Sequence, residues 1–234
     1  ASAITATGAV AVGGSFVLDG GSWVQNSASL PGFSARSFTV GSGASFLRVA
    51  GGDGAAAPYL LADIYGLQGV GSLGLDNNYR LAGNIDAGGT VNWNGGKGFI
   101  PIAGGGAAYS GVFDGAGFAI SSLIIDGGTY DSPVGLFGTL QGGTLRNLSL
   151  NGGSVAGVAN VGALVGNVLS GTIDNVSSSA AVSGRRNVGG LVGSNGGTIS
   201  ASNAGGTVTR WNADHAGRAG GQAGSSSIHQ RRGR

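Results

Sequence analysis

Three segments of this chain repeat nearly the same text: Val134-Gly-Leu-Phe-Gly138, Val161-Gly-Ala-Leu-Val-Gly166 and Val188-Gly-Gly-Leu-Val-Gly193, with first valines 27 residues apart. A second echo shares the interval: Gly143-Thr-Leu-Arg-Asn-Leu148, Gly171-Thr-Ile-Asp-Asn-Val176 and Gly197-Thr-Ile-Ser-Ala-Ser202. Two motifs in fixed order at one period between 20 and 50 residues specify stacked repeats. One such unit cannot bury its apolar side chains alone. Stacked at ~4.8 Å per layer, neighbouring units pair their backbones and share a core. The expected fold is all-β: a right-handed parallel β-helix with coils of about 27 residues and roughly eight coils over the length of the chain. Asn147 and Asn175 are expected to stack at one equivalent corner. A β-propeller needs ~40–50 residues per blade and does not fit.

Composition agrees with many short strands. Glycine accounts for 52 of 234 residues without a collagen period, proline for only 4, and apolar residues for 41%, too many for a disordered chain. Charge is scarce, with one lysine (Lys97) and no glutamate, so Ser, Thr, Asn and Gly must cover the outside. That style suits a secreted surface protein. Cysteine is absent, which excludes disulfides and thiolate chemistry. Five of the 12 basic residues lie at or after Arg210; the body before it carries seven basic and nine acidic residues. A slightly acidic body argues against a nucleic-acid partner. No apolar run is long enough for a membrane helix, and no signal peptide is visible at Ala1, so a mature product or a piece of something longer is expected.

Along the chain, three regions are expected: 1–125, irregular coils with loops; 126–209, regular repeat coils; and 210–234, a basic polar tail without apolar residues to pack. Residues 1–50 read as six short strands separated by glycine turns. Residues 58–68 carry apolar side chains at helical spacing and could form one short helix. The first motif copy is one residue short, so the coil is expected to tighten at Val134–Gly138. In the tail the next Val-Gly-x-Leu-Val-Gly is missing. Arg218–Gln222 can be encoded so that the next reading frame gives Gly-Leu-Val-Gly, which makes a frameshift one explanation and a natural polar tail the other.

The chemistry on offer is thin. Asp114, Asp126 and Asp131 are the densest carboxylates, and two carboxylates across a groove could act on a glycosidic bond. Asp114 and Asp126 each precede glycine, however, which reads as turn chemistry, and no cation lies in that stretch. Both histidines, His215 and His229, fall in the tail, and no nucleophile elbow is present. Calcium could be held at Asp53 or at Asp76-Asn-Asn78, though the nonapeptide calcium series is absent. The glycine-rich segments lack phosphate-loop context, and Lys97 alone does not make one. Among the aromatics Trp23, Trp93, Tyr109 and Tyr130, the candidate carbohydrate contact is Trp93 with Asn92, Asn94 and Tyr109, an aromatic face beside amides. No catalytic, metal or cofactor-binding residue is expected.

The Gly-Leu-Val-Gly segments resemble the GLUG repeats of large bacterial surface proteins. Upstream, Tyr59–Gly71, Asn84–Ala87, Asn92-Trp-Asn94, Gly98-Phe-Ile-Pro-Ile102 and Gly111-Val-Phe-Asp-Gly115 resemble the filamentous haemagglutinin family of secreted adhesins. The resemblance spans about residues 15–209. It implies export through an outer-membrane transporter, display at the cell surface or outer membrane of a Gram-negative type of cell, and attachment to a host-cell glycan or protein receptor. The chain departs from the family pattern at Phe118-Ala-Ile120, where His-Thr-Ile is usual, and the family's amino-terminal secretion domain is not recognisable. The function expected is a structural or adhesive segment, not an enzyme. The alternatives are a β-helix enzyme acting on polysaccharide and a passive stalk carrying a distal binding domain.

Overall fold

The structure, a computed structural model, describes residues 3–129 and 131–211. Its strands pair in parallel and stack into a β-helix of about seven turns. In the regular half each turn contributes one strand to each of three sheets. Phe137–Leu140, Val165–Val168 and Val192–Asn195 form the first. Thr144–Asn151, Thr172–Ser178 and Thr198–Ser200 extend the second, which reaches back through Val112–Asp114 and Tyr79–Leu81 to Tyr59–Leu61. Ile124–Asp126, Ser154–Gly162, Ala181–Gly189 and Val208–Arg210 form the third.

Register follows the repeat. Thr144 pairs with Thr172 and Thr172 with Thr198, Leu145 with Ile173 and Ile173 with Ile199. Val155 pairs with Val182 and Val182 with Val208. Leu145, Ile173, Val161, Leu164 and Val165 are wholly buried, so the apolar half of each alternating strand forms a continuous internal ladder. A one-residue slip would send each ladder to the solvent face, which is why this half has a single register. The short first motif copy stays in register with the second on both sides. Val134 pairs with Val161 and Phe137 with Val165, so the missing residue is taken up at the corner between them.

The polar corner predicted at Asn147 and Asn175 is present. Both adopt positive φ of 53°, and Asn175 Nδ2 donates to Asn147 Oδ1 at 2.9 Å. A second ladder repeats the device: Asn160 and Asn187 have φ of 50° and 49°, and Asn187 Nδ2 donates to Asn160 Oδ1 at 2.7 Å. Asparagine tolerates the left-handed region, and its amide can bond to the coil above or below. Asn147→Ala is expected to destabilise by about 1–2 kcal/mol and Asn147→Gly by less, because glycine keeps the backbone conformation while losing the amide. Urea unfolding midpoints check both.

The first half is built differently. The six short strands expected over residues 1–50 are largely two strands of 17 residues, Val10–Asn26 and Phe33–Val49, paired in parallel with register shifts after Val12 and Leu18. Its glycines mark bends inside continuous strands instead of turns between strands. The helix expected over 58–68 is shorter and later, Ile64–Gly69, with Asp63 as its N-cap accepting from the Gly66 amide at 2.9 Å; Tyr59–Leu61 is a strand. Asp63 therefore starts the helix instead of lying within it. An aromatic cluster fills the coils on either side, with Phe38 5.3 Å from Trp93 and 4.9 Å from Phe46 between ring centroids. Residues 212–234, with both histidines and the frameshift question, and Tyr130 lie outside the described residues.

Candidate functional site

Trp93 and Tyr109 are not available to sugar. Trp93 is 1% exposed, packed against Phe38 and Tyr65, and Tyr109 is completely buried, its hydroxyl donating to the Asn77 carbonyl at 2.9 Å. The four residues therefore do not form the expected carbohydrate contact: only Asn92 is exposed. Asn94 is half-buried and structural, its Nδ2 donating to the Gly98 carbonyl at 2.7 Å and its Oδ1 accepting from Thr39 at 3.1 Å. Trp23 is buried as well, donating to Gln25 at 3.2 Å. The aromatics of the irregular coils here fill the core and pack against one another.

Asp114 is the most elaborated polar group on the second sheet. Its Oδ1 accepts from the Ala116 amide at 2.8 Å and from Asn147 Nδ2 at 3.1 Å, and its Oδ2 lies 3.2 Å from Arg146 and 3.9 Å from Arg80. Strand register explains the company. Arg80 pairs with Asp114, Asp114 with Arg146, and Arg146 with Asp174, whose Oδ1 accepts from Ser200 at 2.6 Å. One row thus alternates cation and carboxylate along the outside of the stack. Sequence reading missed this row, because Asp114 has no cation near it in the chain. The coil offset from Asp114 to Arg146 is 32 residues, outside the 27-residue period.

Burial alone would raise the Asp114 carboxyl pKa. The hydrogen bonds from Ala116 and Asn147 and the charges of Arg146 and Arg80 outweigh it and hold the group below the ordinary carboxylate value. A depressed folded-state pKa contributes stability that is fully present above the unfolded value near ~3.9 and lost as pH falls through the lower folded value. Below about pH 4 the wild type is therefore expected to lose stability more steeply than Asp114→Asn, which has no such proton to bind. Urea midpoints of the two proteins between about pH 6 and pH 2.5 check this.

Asp126, Asp131 and Asp53 are also engaged. Asp126 lies on a different sheet from Asp114, and its Oδ1 accepts from the Gly128 amide at 2.8 Å, as turn chemistry predicts. Asp131 pairs with Arg186. Asp53 accepts from the amides of Ala55 and Ala57 at 2.8 and 2.9 Å, which hold its pKa below the usual value. Asn78 of the other calcium candidate donates to the Ala55 carbonyl at 3.2 Å and accepts from the Val112 amide at 2.9 Å. Among the described residues no group of three or more His, Asp or Glu side chains is placed to hold a metal ion. No described helix is long and apolar enough to cross a membrane.

No family model matches this chain, and no solved structure does. Halomucin of Haloquadratum walsbyi is 40% identical over 153 residues, 62% of this chain and 2% of halomucin. A protein of Evansella cellulosilytica named as a Gly-rich membrane protein is 38% identical over 134 residues, 55% of this chain and 15% of that protein. The chain is thus similar to small parts of much longer proteins.

Proposed function

We propose that this chain is a rigid β-helical segment of a longer protein displayed at the cell surface, acting as structure that spaces or supports other parts. The observation that carries this reading is the use of its polar side chains. Asparagine corners, the Arg80–Asp114–Arg146 ion pairs and the Ser177–Ser149 and Ser200–Asp174 hydrogen bonds all tie one coil to the next. Side chains committed to coil-to-coil bonding make a stiff stack, and about seven turns at ~4.8 Å extend it by ~34 Å. The names of the relatives, a halomucin and a Gly-rich membrane protein, favour the surface as its location. An adhesive role of the filamentous haemagglutinin kind remains compatible with such a segment, but the Trp93 and Tyr109 faces do not supply it.

The test is accessibility on intact cells that make the parent protein. An antibody raised against residues 131–211 should label unpermeabilised cells, and added protease should remove the label. Labelling that requires permeabilisation would end the surface reading.

A further inference from the structure

One corner of the third sheet carries two exposed arginines, one of them with guanidinium nitrogens that the stack does not use. Arg48 is held by Asp63, and Arg80 and Arg146 by Asp114. Arg186, itself paired with Asp131, and Arg210 line a shallow groove of about 420 Å³ with Asp131, Ala159, Asn160 and Asn187. Pairing places Arg186 over Ala159, and Arg210 over Gly184 in the next coil, so the two guanidinium groups come from adjacent layers. Both arginines are exposed. Arg210 donates through Nε to the Arg185 carbonyl at 3.0 Å, which orients the group; its terminal nitrogens make no hydrogen bond among the described residues. Arg186 holds the Asp131 carboxylate.

We infer that this groove is a binding site for a carboxylated polysaccharide, a uronate-type polymer. Asp131 displays the chemistry on the protein itself: a carboxylate against Arg186, leaving Arg210 one coil further along for a second. Guanidinium and carboxylate match in charge and in planar geometry. The Asn160 and Asn187 amides beside them can donate to and accept from sugar hydroxyls. Nucleic acid fits less well, because the body before Arg210 has two more acidic than basic residues and phosphate binding relies on many cations together.

The full chain is tested for retention on immobilised polygalacturonate, with neutral dextran and poly-glutamate alongside, at about 0.05 M salt, where exposed charges are weakly screened. Retention on polygalacturonate alone is expected. The double variant Arg186→Gln/Arg210→Gln should weaken it about tenfold or more, with an unchanged urea midpoint. Asp131→Asn should strengthen it by releasing Arg186, and Arg146→Gln, on another sheet, should leave it unchanged. No retention on polygalacturonate, or equal retention on poly-glutamate, would overturn the assignment. So would binding that survives the groove variant but disappears when Arg218, Arg231, Arg232 and Arg234 are replaced by glutamine. This assay reads ligand binding only, so its failure leaves the surface-display reading standing.

Discussion

Arg48→Ala is expected to destabilise the first coils by about 3 kcal/mol. Arg48 is 3% exposed and makes four polar contacts. Its Nε and Nη2 both lie 2.7 Å from Asp63 Oδ2, Nη1 donates to Gln25 Oε1 at 2.6 Å, and Nη2 donates to the Pro31 carbonyl at 2.8 Å. The guanidinium carbon also sits 5.4 Å from the centre of the Phe33 ring. Gln25 in turn donates to the Ala6 carbonyl at 2.9 Å, and Asp63 caps the short helix. One side chain therefore joins both long strands, the loop between them and the helix of the next coil. Removing it strands the Asp63 carboxylate and the Pro31 carbonyl in a partly closed site, and that loss outweighs the desolvation relieved. Because the pair is largely buried, the effect should persist in high salt, unlike that of a surface pair. Arg48→Lys should fall between, since an ammonium cannot reach all these partners at once. Urea unfolding followed by tryptophan fluorescence reads the right region, since Trp23 and Trp93 are buried there and Trp211 is already exposed. A loss below about 1 kcal/mol would place Arg48 with ordinary surface pairs and refute the network's role.

That network also marks where sequence reading stops. The regular half was legible because inward residues recur at nearly one interval: Leu145, Ile173 and Ile199 announce their register without any structure. Earlier coils have offsets of 20 residues from Tyr59 to Tyr79 and 34 from Tyr79 to Phe113, so no period relates Arg80 to Asp114 or Gln25 to Arg48. Glycine misled for a physical reason. It permits a turn, but Gly20 and Gly43 pair in register within the two long strands, so bending there does not end the pairing. Aromatic residues misled in the same way. Trp93 flanked by two asparagines looks like a sugar platform in one dimension, yet its ring packs inward against Phe38 and Tyr65, which come from distant stretches of the chain. Asp114 and Asp126 are legible as turn residues, because an aspartate accepting from the amide two residues on is a local event.

Gly166→Ala is expected to cost about 3 kcal/mol, although the change adds one methyl group. A Cβ at Gly166 would stand 2.7 Å from the Asn160 carbonyl oxygen and 2.7 Å from the Pro133 carbonyl carbon. At Gly193 it would meet Asn160 C and Val161 N at 2.5 Å, and at Gly162 it would meet Gly193 N and Leu191 O at 2.7 Å. Every one of these atoms is backbone, which cannot swing aside as a side chain can. The two glycines of Val-Gly-x-Leu-Val-Gly are therefore selected by the corner at which successive coils touch main chain to main chain, and the motif is repeated because the contact is. Relief would require neighbouring coils to separate, breaking hydrogen bonds such as Val134 N to Asn160 O and Gly162 N to Val134 O. The matched control is Gly205→Ala in the same stack, where an added Cβ has nothing within 4 Å and the cost should stay within about 0.5 kcal/mol. Since stacked repeats open by neighbouring units, hydrogen exchange should show lost protection in the coils on either side of Gly166 before the first coils respond. Equal effects of the two substitutions would mean that close approach of the coils is not what requires glycine in the motif.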